Sequence, residues 1–221
     1  MIERLQDLTR RWNWRIGVPA IVIVLVGLGL AVAAGCSSND EAGNTVPVSL
    51  DEQPRDLSWT TFQGVQVPVA EQGPRTRTEP APHGYDQTPA GAGLAAIQAT
   101  IRMSVANDAQ FPQVSATLLA PGEGRDWYIA NRLRVSTTEP VAEKDAPQVL
   151  AYKVTAFKDR SASVDIYTRY PDRSLTVNHT TVAWQSGGDW GLVVPIPESM
   201  AGPAVEAVEA VPADAVTLPA P

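Results

Sequence analysis

Three patterns of apolar and polar positions divide this chain. The first is an uninterrupted apolar run over residues 17–35, free of charge and of amide side chains. As a helix it would extend about 28 Å, the thickness of a bilayer's hydrocarbon, and it would have no polar face to offer water. The second pattern has helical spacing. Leu94, Ile97, Ile101 and Val105 recur every three or four residues, with Ala95, Ala96, Ala99 and Met103 between them. Thr88 is a suitable N-cap and Pro89 suits the first helical position, so a helix is predicted over 89–106. Shorter helices are predicted over 111–120, opening at Phe111-Pro112, and over 124–133.

The third pattern has a period of two and begins at Pro147. Val149, Ala151, Lys153 and Thr155 alternate with Leu150, Tyr152, Val154 and Ala156. Ala162, Val164, Ile166 and Thr168 share a face of the next strand. Leu175, Val177, His179 and Thr181 share one in the third, and Trp190 opens the fourth. Turns at 158–160, 171–173 and 186–189 join them into an antiparallel meander. A hairpin or short strand is expected over 59–68, then a coil rich in Pro and Gly to residue 89. Helices followed by a curved, four-stranded antiparallel sheet give an α+β class. The expected organisation is a signal peptide or transmembrane anchor over 1–35, a flexible tether over 36–57, the α+β domain over 58–197, and a disordered Ala/Pro-rich tail over 198–221.

The flanks of the apolar run give it a direction. Arg4, Arg10, Arg11 and Arg15 precede it, and the next basic residue is Arg55. Basic flanks stay in the cytoplasm, which places the rest of the chain on the extracytoplasmic face of the cell membrane. Two readings of the run remain open. It is a single-pass helix over 17–35, or it is a signal peptide cleaved before Cys36, the chain's one cysteine. Ala33-Ala34-Gly35-Cys36 resembles a bacterial lipobox, with Ala33 where Leu is commonest. The thiol of Cys36 would then carry the lipid, followed by a polar, Ser-rich stretch from Ser37.

Charge narrows the partners. The net charge is −7, and the four arginines before residue 17 make the remainder more acidic still. Nucleic acid is excluded as a partner on that ground, since phosphate contacts need clustered Lys and Arg. One cysteine leaves no intramolecular disulfide.

Several stretches together resemble a domain of unknown function found in actinobacterial membrane-anchored proteins and lipoproteins. They are Trp59, Gly64-Val65-Gln66-Val67-Pro68, Gly73-Pro74, Gly84-Tyr85, Thr88-Pro89-Ala90-Gly91-Ala92 and Gly188-Asp189-Trp190. The order of helices and strands is similar to the nuclear-transport-factor-two-like cone fold. The resemblance implies a place in the envelope, often on conjugative or mobile elements, and no reaction.

Candidate chemistry is sparse. No phosphate loop and no nucleophile elbow occur. His83 and His179 are the two histidines, too few and too scattered for a metal centre. No cofactor and no catalytic residue is expected. If a cone cavity exists, His179 as a base, Asp165 as its orienting carboxylate and Tyr152 are its candidate lining. Trp184 and Trp190 should pair across the last hairpin. Arg125 and Asp126 read as a helix-capping set beside Trp127. The function expected is a membrane-tethered, non-catalytic domain that contacts envelope proteins, an accessory of a conjugation or secretion machinery. The alternative is a small-molecule binder or enzyme using the cavity near His179.

Overall fold

The computed structural model describes residues 48–221. The apolar run, Cys36 and most of the expected tether lie outside them. Among the described residues no helix is long and apolar enough to cross a membrane.

The described residues form an α+β domain, with three α-helices and a six-stranded antiparallel sheet. A separate hairpin comes first, β1 (Ser58–Phe62) paired with β2 (Val65–Val69). Helix α1 (Pro89–Val105) follows the Pro-rich coil. Its N-cap is Thr88, whose Oγ1 accepts from Gly91 N at 3.1 Å, and Pro89 occupies the first turn, where its missing N–H costs nothing. Every residue from Pro89 to Ala99 is buried. The run of Gly and Ala there permits close contact: a Cβ on Gly93 would collide with the Tyr152 ring, and one on Gly91 with the Asp86 carbonyl. Helices α2 (Phe111–Leu118) and α3 (Glu123–Arg132) complete the helical part.

The main sheet is a meander of β3 (Gln148–Lys158), β4 (Ser161–Arg169), β5 (Leu175–Trp184) and β6 (Trp190–Val193). Its inner face, with Val149, Tyr152, Val154, Val164, Ile166 and Val182, packs on Leu94 and Ile97 of α1 to make the main core. Register shifts between Val149 and Ala151 and between Val154 and Ala156 interrupt the β3–β4 ladder. Bulges of this kind bend and twist a strand. Trp190 pairs with Trp184 across the last hairpin, with ring centroids 5.1 Å apart and edge to face.

Six strands replace the expected four because residues 198–221 are not a free tail. Strand β7 (Val205–Val208) pairs with the first half of β5, whose second half pairs with β6. Strand β8 (Val216–Thr217) pairs with β3 at the opposite edge. The segment between them crosses the outer face of the sheet. There Val208, Val211 and Ala215 cover a second small cluster of Ala151, Tyr167 and Val177. Val216 and Leu218 are buried in the main core, and Pro219 O accepts from Trp59 Nε1 at 3.1 Å. Strands of four and two residues are too short to show a period.

The expected tether is also fixed at its end. Tyr152 Oη donates to Glu52 O at 3.3 Å, Arg55 N donates to Gln72 Oε1 at 3.0 Å, and Leu57 packs against the core.

Candidate functional site

The proposed cavity residues do not meet in one place. Asp165 and His179 are direct cross-strand partners, and His179 Nδ1 lies 2.7 Å from Asp165 Oδ1. Lys153 is the next residue in that row, paired with Asp165. This row is on the outer face of the sheet, where the His179 side chain is 45% exposed. Tyr152 pairs with Ile166 on the inner face and is wholly buried. Burial pushes its phenol well above the ordinary value, with Glu52 adding to the shift, so it stays protonated. A cavity common to His179, Asp165 and Tyr152 therefore does not form. The sheet lies between them.

The inner face does hold a cavity near its open end, between α1 and β3–β5. Its volume is about 120 Å³, below the several hundred Å³ usual for small-molecule sites. Thr100, Thr168, Thr176 and Asn178 line it along with Val65 and Val149, and no charged residue does. Asn178 and Thr180, not their neighbour His179, share the inner face with Val182.

A buried polar chain fixes the Pro-rich coil to α1. Gln98 Nε2 donates to Pro68 O at 2.8 Å, and Arg102 Nε donates to Gln98 Oε1 at 2.8 Å. The Arg102 guanidinium pairs with the Glu79 carboxylate, donates to Pro80 O at 2.8 Å, and lies 4.2 Å from the Phe62 ring centroid. Arg102 is 1% exposed. Such a burial is tolerable only because every arm of the fork has an acceptor or an aromatic face.

The other end of the coil is clamped by the last hairpin. Asp189 accepts from Gly84 N at 2.6 Å, Tyr85 N at 3.0 Å and Trp190 N at 2.8 Å. Trp190 Nε1 donates to Asp86 O at 2.9 Å. Gly188 turns the hairpin with φ +80. Gly84-Tyr85 and Gly188-Asp189-Trp190, more than a hundred positions apart, are thus one structural unit. Tyr85 is buried beneath it, and burial raises its phenol far above the ordinary value.

Residues 31–212 match the family described as a domain of unknown function (DUF8175). The chain belongs to that family. Neither a curated protein nor a solved structure matches it. In this DUF8175 chain the stretches that carried the resemblance are therefore mostly structural: an N-cap, a coil clamp and close helix contacts.

Among the described residues of the DUF8175 domain, α3 and the turn after it carry three exposed large apolar side chains, Trp127, Leu133 and Val135; Val48, Leu50, Tyr170, Val193 and Val205 are exposed elsewhere. A groove of about 360 Å³ separates α3 from α2. Arg125 lines it, and Arg125 and Asp126 do not cap the helix: α3 opens at Gly122, with no side-chain cap. Asp108 organises the next turn. Its carboxylate accepts from Ser136 Oγ at 2.6 Å, Thr137 N at 2.9 Å and Arg132 Nη2 at 3.0 Å, and those donors, Ser136 foremost, hold it below the usual carboxylate range. Ser115 and Arg125 had no signal in the sequence beyond lying on adjacent short helices. Among the described residues no group of three metal-ligating side chains occurs.

Proposed function

We propose that this chain is a membrane-tethered, extracytoplasmic, non-catalytic domain for protein interaction, an accessory of a conjugation or secretion machinery in an actinobacterial envelope. The observation that carries the reading is the exposure of Trp127, Leu133 and Val135 along one helix and its exit turn. Large apolar side chains grouped at a surface mark contact sites. The tether is supported by the apolar run over 17–35, the arginines before it and Cys36 after it. A cone-like, nuclear-transport-factor-two-like shape is supported by three helices ahead of a sheet whose β3 is bulged twice.

A ligand-binding reading centred on His179 has one support, the hydrogen bond to Asp165. The pair's open, outward position favours the interaction reading over it.

The test has two arms. Fractionation should find the chain in membranes, and mass spectrometry of the mature N-terminus should find either lipid on Cys36 or an intact leading segment. A photo-crosslinker placed at Leu133 in cells should capture a defined envelope protein. A cytosolic chain with a free Cys36 thiol and no crosslinked product would overturn the proposal.

A further inference from the structure

The α2–α3 groove combines an apolar wall with two polar atoms that have no hydrogen-bond partner among the described residues. Phe111, Pro112, Ala116, Ile129 and Leu133 form its apolar lining. Ser115 and Arg125 face it from opposite helices. Ser115 is 1% exposed, and its Oγ is buried without a hydrogen bond among the described residues. Arg125 Nε is likewise buried and unpartnered. The carboxylate beside it is that of Asp126, 3.7 Å away, beyond hydrogen-bond distance and 73% exposed to solvent. Arg132, by contrast, is committed: it donates to Ala106 O and Asp108 and stacks over Phe111.

Buried donors without acceptors are costly and seldom left so. A carboxylate seated between the helices would accept from Arg125 through a charge-assisted bond and take the Ser115 hydroxyl as a second donor. The apolar walls would bury a large side chain beside it. Leu133, 67% exposed, leaves that end of the groove open, which admits a length of polypeptide. We propose that the α2–α3 groove docks a segment of a partner protein that presents a large apolar side chain next to a glutamate or aspartate. This rests on the interaction reading above and specifies its site and the chemistry of its partner.

The probe is an array of dye-labelled, C-terminally amidated peptides in which Leu, Phe or Trp adjoins Glu, each with a Gln counterpart. Binding to the full-length chain is read by fluorescence anisotropy. Glutamate peptides should bind about tenfold more tightly than their glutamine counterparts. Arg125→Gln should abolish that preference while leaving the glutamine peptides unchanged, and Arg125→Lys should restore part of it. Leu133→Asp, at an exposed position, should weaken both series and remains informative if Arg125→Gln fails to fold. The proposal is overturned if Arg125→Gln keeps the glutamate preference, or if no peptide saturates below about 1 mM. It is also overturned if a medium-chain fatty acid binds more tightly than every peptide and displaces them. In cells, a crosslinked partner that is lost from Leu133→Asp supports the groove. One retained by that variant removes the groove and leaves the interaction reading standing. No partner for the wild-type chain removes the interaction reading itself.

Discussion

Residues 71–88 and residues 200–221 look alike in sequence, both rich in Pro and small residues and both without a period, yet they are anchored to the body differently. The first folds back on itself, with Thr76 and His83 exchanging both backbone bonds and Arg75 N donating to Gly84 O. Side chains from elsewhere, Arg102, Asp189 and Trp190, fix it to the body through its carbonyls and amides. The second is held by its own backbone, through β7 and β8, and by small apolar side chains laid on the outer face of the sheet. An irregular coil orders when buried polar anchors are supplied to it. An irregular tail orders when an open sheet edge is.

The largest effect should follow from removing an anchor of the coil. Arg102→Ala strips Glu79, Pro80 O and Gln98 of their shared partner, and a loss of about 3 kcal/mol is expected in urea denaturation. Asp189→Ala leaves three backbone donors without their acceptor and should cost about 2 kcal/mol. It should also raise proteolytic cleavage within residues 75–88. A loss of stability without new cleavage there would show that the clamp does not hold the coil.

The tail is tested by Val216→Asp, which puts a charge at a position 1% exposed. A loss of about 2–3 kcal/mol is expected, with faster hydrogen exchange in residues 200–221 and in β3. If exchange rises in the tail alone, the tail is an ornament and not part of the core. The acid response of its outer ion pair has a definite sign. The Asp214 carboxyl sits below its ordinary value because Lys153 Nζ donates to it at 2.7 Å. The folded state therefore binds that proton less readily than the unfolded one. The stabilisation is present above the ordinary carboxylate range and is lost as pH falls through the lowered value. Asp108 follows the same sign. Melting temperature should hold from neutrality to about pH 5 and decline only in stronger acid. Smallest of all, His179→Ala should leave the thermal melt unchanged within error, since the pair it breaks is exposed.

Much of the fold could be read from residues. Thr88-Pro89 with the spacing of Leu94, Ile97, Ile101 and Val105 placed α1, whose observed span is Pro89–Val105. Alternation placed all four strands of the meander. The side on which His179 lies could not be read, and the reason is physical. Val177 and Val182 both read as buried, and both are, but on opposite faces. Part of the outer face, at Ala151, Tyr167 and Val177, is apolar because Val208, Val211 and Ala215 cover it, and nothing in β5 announces that cover. The same blindness applies to Ser115 and Arg125, which line one groove only because of how two short helices pack.

Strand β8 has a further consequence through its position. A long edge strand such as β3 presents a row of unmet N–H and C=O groups to any other extended chain. Here residues 216–217 cap part of that row, and β7 shares the opposite border with β6. A chain cut before residue 205 would lose both shields at once. Its characteristic failure would then be edge-to-edge aggregation into oligomers, seen before any loss of helix content.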